Sequence, residues 1–203
     1  MFRFFESIYA DSSGIRNLGF HQARLDITYS AHYDKPNTLF NLSELIELHL
    51  FDNSRKLKIK FLYNESDFLI HVEPYIPRRF SHFHFVFDPN IHYNYKYCDR
   101  KKLDHYLTAE RSCPVFITSK KEIMDTHYSN IVFFDGRTWF TPSTFLLKGT
   151  MRDSLISNGI LSLRSITIRD LERFTHFKLI NSMNSMEDSF LYSITYLKQA
   201  IRK

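Results

Sequence analysis

Glycine is scarce in this 203-residue sequence: 5 are present, where average usage near 7% would supply roughly 14. Glycine-rich phosphate cradles have little material to form from, and neither GxxxxGK[ST] nor GxGxxG occurs. The metalloprotease and hydrolase signatures HExxH and GxSxG are absent too. Only two cysteines are present, Cys98 and Cys113; they form no CxxC pair and no disulfide framework, which fits free thiols in a reducing compartment. No apolar run approaches the 18 or so residues that a membrane span needs. The opening MFRFFESIYADSS reaches an acid by Glu6 and has neither a long apolar region nor a small-residue cleavage site, so no signal peptide and a cytoplasmic location are expected. The 27 Lys+Arg and 22 Asp+Glu give a net charge of +5 without any block of five like charges. Lys56, Lys58 and Lys60 lie far from Arg78 and Arg79, with acids between, a dispersal that argues against a nucleic-acid face.

What the sequence has in plenty is aromatic: 20 Phe, 12 Tyr and 1 Trp within a 43% hydrophobic, 24% charged chain, the balance of a folded globular protein. Its length suits one large or two small domains. Patterning predicts a strand over 2–9, a turn at Ser12-Ser13-Gly14, a helix over 20–29, and a helix over 43–50 capped by Asn41 or Ser43. Strands are expected over 57–63, 68–74 and 80–87. Asp88-Pro89-Asn90 then breaks the pattern. The expected division is a small N-terminal α+β domain over 1–90 and a C-terminal mixed domain over 91–203. The second half reads as a helix over 99–109, strands over 115–118, 122–125 and 131–134, and a hairpin turn at Asp135-Gly136 returning through 138–141. A helix over 149–157, a strand over 161–168, a short helix over 169–174, a strand over 177–183 and a closing helix over 186–201 complete it. The fold class is α+β.

His82 and His84 alternate onto one strand face, but no third ligand stands at zinc spacing, so no metal site is expected. What stands out is an ordered series: FFESI (4–8), HQARL (21–25), YKYCDRKKL (95–103), MDTHYSNIVFFDG (124–136) and LLKGTMR (146–152). In that order and spacing the series resembles the class IV pyridoxal-phosphate enzymes, which include branched-chain and D-amino-acid aminotransferases and aminodeoxychorismate lyases. The resemblance covers most of the chain. It implies a two-domain D-amino-acid-aminotransferase-like fold, pyridoxal 5'-phosphate in a cleft, a small-molecule amino substrate and a homodimer, with no nucleic acid or membrane partner.

Residue by residue, the resemblance implies that Lys96 bonds covalently to the cofactor aldehyde and shuttles the substrate proton, work that needs a partly desolvated amine. Tyr95 and Tyr97 flank it and supply such surroundings. Asp125 matches the acidic residue, usually glutamate, that faces the pyridine nitrogen. It is one methylene shorter than the usual residue, and Glu122 falls on the opposite strand face. Gly149 and Thr150, opening a helix, offer backbone N–H groups and the positive dipole end to the phosphate. Arg24 matches the arginine that reaches the same phosphate. The cofactor-binding set is thus Arg24, Lys96, Asp125, Gly149 and Thr150, with Lys96 catalytic.

Three departures stand beside the match. Met151 replaces a common hydroxyl, implying one lost hydrogen bond. Tyr9 stands where many relatives carry arginine. The chain begins four residues before Phe5, implying a pared substrate pocket.

Three functions remain open on these residues. A lyase resembling aminodeoxychorismate lyase would release pyruvate to give 4-aminobenzoate, and the short chain and the NSM at 181–183 lean that way. A class IV aminotransferase acting on an amino acid and a 2-oxo acid would use the same residues; Ser7 could lie near either substrate, with no role assigned. A non-enzymatic module would stack single-stranded nucleic acid on its basic, aromatic strands.

Overall fold

The computed structural model of the chain describes residues 1–47, 55–108 and 111–201. The chain forms two compact units, Met1–Ile76 with Tyr95–Asp99, and Pro77–Asn94 with Arg100–Lys203.

In the first unit, β1 (Phe4–Asp11), β2 (Gly14–Ile15), β3 (Leu57–Tyr63) and β4 (Phe68–Pro74) form an antiparallel sheet in the order β2-β1-β3-β4. The hairpin between β1 and β2 turns where Gly14 adopts φ +114°, a conformation that L side chains rarely take. Helix α1 (Leu18–Tyr33) starts and stops at non-glycine residues in the left-handed region, Asn17 at φ 56° and Asp34 at φ 52°. Short polar side chains tolerate that region best. Phe4, Ile8, Leu25, Tyr29, Phe40, Ile59, Phe61 and Tyr63 are buried together as its core, so much of the aromatic excess is structural. Gln22 pins α1 to the segment that follows it, donating to the Phe40 carbonyl at 2.9 Å and accepting from Leu42 N–H at 2.8 Å. Helix α2 (Leu42–Glu47) is capped by Asn41, whose side-chain oxygen accepts from Ser43 N–H at 3.1 Å. The part of the predicted helix at 48–50 lies outside the described residues.

The second unit is built on a mixed sheet of β5 (His82–Val86), β6 (Ser112–Ile117), β7 (Ile123–Thr126), β8 (Asn130–Phe134), β9 (Trp139–Pro142) and β10 (Ser162–Arg164), in the order β10-β9-β8-β7-β6-β5. The pairs β5/β6 and β9/β10 are parallel and the others antiparallel. Strand β11 (His176–Ile180) pairs with β8 and with β12 (Tyr192–Ser193). Helices α3 (Lys101–Asp104), α4 (Thr150–Ser157) and α5 (Thr195–Ile201) and a 3-10 turn at Ile168–Arg173 complete it. Its core gathers Phe83, Val115, Ile131, Phe133, Leu171, Phe174, Phe177 and Leu197.

Most differences from the sequence patterning are at the ends of elements, but two change the element itself. The helix expected over 99–109 shrinks to one turn, its last residue lying outside the described set. The closing helix expected over 186–201 begins only at Thr195. Before it, Ser185 Oγ donates to Asp188, Ser189 Oγ bonds back to the Ser185 carbonyl at 2.6 Å, and Phe177 takes Tyr192 into strand pairing. Local hydroxyl bonds and a long-range partner there outweigh helical periodicity. The domain boundary expected at residue 90 compares with a first unit that ends at Ile76 and regains Tyr95–Asp99, so Lys96 sits with the N-terminal sheet.

Candidate active site

The five predicted residues fall two in the first unit, Arg24 and Lys96, and three in the second, Asp125, Gly149 and Thr150. Each group is built differently.

In the first unit, residue alternation along β1 sends Phe4, Glu6 and Ile8 toward α1, and sends Phe5, Ser7 and Tyr9 to the other face of the sheet. Glu6 is a carboxylate 1% exposed and therefore needs partners. Helix α1 supplies two from positions three apart on one face. His21 Nδ1 lies 2.6 Å from Glu6 Oε2, and Arg24 Nε donates to Oε1 at 2.9 Å while a terminal guanidinium nitrogen donates to Oε2. Burial alone would push the Glu6 carboxyl up; the Arg24 charge and the His21 hydrogen bond outweigh it and hold the carboxyl at about 2. Burial drives the His21 pKa down, so the ring is neutral and Nδ1–H is the donor to Glu6. Arg24 is thereby fixed as a fork, its side chain 12% exposed.

Lys96 is held by backbone bonds to the same strand. Phe5 N–H donates to the Lys96 carbonyl at 3.0 Å, and Cys98 N–H donates to the Arg3 carbonyl at 2.9 Å. The two flanking tyrosines pack into the core: the Tyr95 ring meets His32 at 4.4 Å and the Tyr97 ring meets Phe4 at 5.2 Å. The aromatic surface against the amine is therefore Phe5, with Nζ 4.8 Å from the ring centroid, and not the neighbours in sequence.

In the second unit, Asp125 is the penultimate residue of β7 and is 4% exposed. Its Oδ2 accepts from the backbone N–H groups of Leu146 and Leu147 at 2.9 and 3.0 Å, and its Oδ1 accepts from Asn130 Nδ2 at 2.7 Å. Burial pushes its carboxyl up to about 6, against these hydrogen bonds, so it is still mainly charged at neutral pH. Asn130 is the hub that the sequence reading did not single out: the same amide donates to the Leu147 carbonyl at 3.1 Å, and its oxygen lies where a Cβ on Gly149 would come within 1.8 Å. A side chain at position 149 would therefore have to displace the Asn130 amide, and Gly149 leads directly into α4 as its N-cap at φ −78°, ψ 135°.

Thr150 is buried at the first turn of α4. Met151, the predicted departure, turns its side chain into an apolar cluster with Val132, Leu155, Leu161, Ile180 and Met186. Buried Arg152 donates to the Pro142 carbonyl at 2.9 Å and lies over the Phe145 ring.

The turn after Asp125 is braced as well. Thr126 N–H donates to the Ser129 carbonyl at 2.9 Å, Arg100 donates to the His127 carbonyl, and Asn181 Nδ2 donates to Ser129 Oγ at 2.9 Å. Asn181, first residue of the NSM segment, thus ties a distant turn to the Asp125 hairpin. Glu122 is engaged elsewhere, accepting from Ser165 Oγ at 2.9 Å. Among the described residues no group of three or more His, Cys, Asp or Glu could hold a metal ion. His84 instead bonds to Ser112 Oγ and the Tyr106 carbonyl. No described helix is long and apolar enough to cross a membrane.

Taken by itself, the first unit offers a rigid guanidinium suited to an anion, and the second offers a buried carboxylate suited to a cationic partner and a helix N-terminus at Gly149. The family model for amino-transferase class IV matches residues 3–186. An uncharacterized protein of Haemophilus influenzae is 29% identical over 188 residues, covering 92% of this chain and 100% of its own. A crystal structure of a candidate 4-amino-4-deoxychorismate lyase from Haemophilus somnus is 26% identical with a TM-score of 0.85, covering 92% of this chain and 98% of that one. The pyridoxal-phosphate-bound form of a hypothetical aminotransferase from Mycobacterium tuberculosis shares the fold at a TM-score of 0.67 and 14% identity, over 98% of this chain and 88% of that one.

Proposed function

The chain belongs to the class IV aminotransferase family, and from that premise we propose that it is a pyridoxal-phosphate enzyme of the lyase kind, releasing pyruvate from 4-amino-4-deoxychorismate to give 4-aminobenzoate. The observation that carries the lyase choice is the likeness to the Haemophilus somnus protein across nearly the whole of both chains.

The residue set fits the cofactor. Arg24, locked by Glu6, and the N–H groups at Gly149 and Thr150 would hold its phosphate, Asp125 would face its pyridine nitrogen, and Lys96 would bond to its aldehyde. When bound, the cofactor supplies a sink for the electron pair left as the substrate loses a proton. Lys96 Nζ takes that proton, aided by the apolar wall of Phe5 that limits hydration of the amine. Asp125 keeps a negative charge at the buried end of the site, since its three hydrogen bonds oppose the burial that would neutralise it. The Asn130 bridge ties that charge to the 146–149 segment, so the carboxylate and the phosphate-binding turn are held in one frame. By the same resemblance the working form is a cytoplasmic homodimer, and free Cys98 and Cys113 suit a reducing compartment.

The test is spectroscopic, then chemical. Wild-type protein mixed with pyridoxal phosphate should gain the visible absorption of covalently bound cofactor, and Lys96→Ala should lack it while folding normally. The loaded wild type should then form 4-aminobenzoate from aminodeoxychorismate. If an amino acid alone bleaches the absorption and no 4-aminobenzoate forms, the chain is an aminotransferase instead.

A further inference from the structure

Phe5 carries a second ammonium over its ring. Lys60 Nζ lies 5.0 Å from the ring centroid, beside the 4.8 Å of Lys96 Nζ. The two amines reach the ring from opposite neighbours of β1: Phe5 bonds through its backbone to Lys96 on one side, and on the other β3 runs antiparallel with Lys60 opposite Ser7. Phe5 and Ser7 share the sheet face turned away from Glu6 and α1. With both distances measured to one ring, the nitrogens are no more than about 10 Å apart, close enough for one small anion to feel both at ordinary ionic strength.

Lys60 is half-buried and, among the described residues, makes no ion pair. Its strand neighbour on the same face, Lys58, is held by Glu73 at 2.6 Å. Lys60 is a partly desolvated cation beside a second cation, with the Phe5 ring as its favourable contact and no carboxylate among the described residues to pair with it. An anion seated there would supply the missing countercharge.

We propose that Lys60 is a specificity-determining residue that binds a carboxylate of the substrate remote from the reacting carbon, so the substrate class is an amino compound bearing a second acid group. The inference rests on the reading of Lys96 given above. Phe5 then forms an apolar floor between the amine that reacts and the amine that recognises.

The test uses the cofactor-loaded chain and two acids that carry no amine and cannot react, glutarate and butyrate, each titrated against the visible absorption. Lys60→Met should keep that absorption, bind glutarate about tenfold more weakly, and bind butyrate as the wild type does. Lys60→Arg, which keeps the charge, should retain most of the glutarate affinity. Unchanged glutarate binding in Lys60→Met, or equal weakening of both acids, overturns the inference while leaving the enzyme assignment intact. A wild type that gains no absorption overturns the assignment itself. Should Lys60→Met fail to fold, salt decides on the wild type alone: glutarate affinity must fall with ionic strength more steeply than butyrate affinity, and parallel falls refute the proposal.

Discussion

Glu6 and Arg24 meet where β1 faces the first helix, with Arg24 Nε donating to Glu6 Oε1 at 2.9 Å and a second guanidinium nitrogen donating to Oε2. The pair is anchored from behind by neutral His21, so the guanidinium has one orientation. Glu6 holds its proton only near pH 2, below the ordinary value of 4.5. The charged carboxylate therefore contributes stability that is present above pH 4.5 and disappears as the pH falls through about 2. Glu6→Gln should lose on the order of 3 kcal/mol at pH 7, and the deficit should close toward pH 2. Urea denaturation of both proteins across that range checks this; a deficit independent of pH would sink the ion-pair account.

Gly149 and Asn130 are matched at van der Waals level. Gly149→Ala places a Cβ 1.8 Å from Asn130 Oδ1 and should cost about 1–3 kcal/mol through overpacking. Asn130→Ala removes the donor to Asp125 and to the Leu147 carbonyl, at about 1–3 kcal/mol. The double variant should be more stable than the sum of the two losses implies, because the second change relieves the clash of the first. A double-mutant cycle by chemical denaturation measures the coupling, and strict additivity would refute it.

Met151 occupies the position where the family resemblance led us to expect a hydroxyl. Its side chain is 3% exposed among Val132, Leu155, Leu161, Ile180 and Met186. Met151→Thr should therefore destabilise the chain by about 2 kcal/mol, by losing apolar contacts and burying a hydroxyl among hydrocarbon. It should not tighten pyridoxal-phosphate binding. A variant that is as stable as wild type and binds the cofactor more strongly would restore the hydroxyl to a phosphate-binding role.

In the first unit β3 was legible because LKIKFLY alternates buried and less buried residues, and Ser12-Ser13-Gly14 marked the turn after β1, whereas the two-residue strand β2 was read only as part of that turn. The YKY triplet could likewise be read as exposing its lysine opposite its tyrosines, although the ring beside that amine, Phe5, comes from more than ninety positions earlier and no local pattern announces it. Glu6 and His21 lay inside motifs already noted, but their pairing depends on the helix lying over the sheet. Asn130 was overlooked because it opens an apolar strand and looks like a turn residue; only the clash at Gly149 reveals why that glycine is one of so few. The broken closing helix was illegible for a different reason: its residues have adequate helical spacing, and pairing between Phe177 and Tyr192 decides against it.

The short stretch that carries Lys96 also has a consequence for how the first sheet is protected. Strand β2 pairs with β1 only at Ala10 and Asp11, while residues 96–98 cover the opposite end of the same edge near Arg3 and Phe5. A fragment ending at residue 76 would leave those backbone groups open, inviting pairing with another strand. Lys96, the residue proposed to bond to the cofactor, is thus part of a clasp that seals the N-terminal sheet, so a nick between the sheet and the clasp should impair solubility as well as cofactor binding.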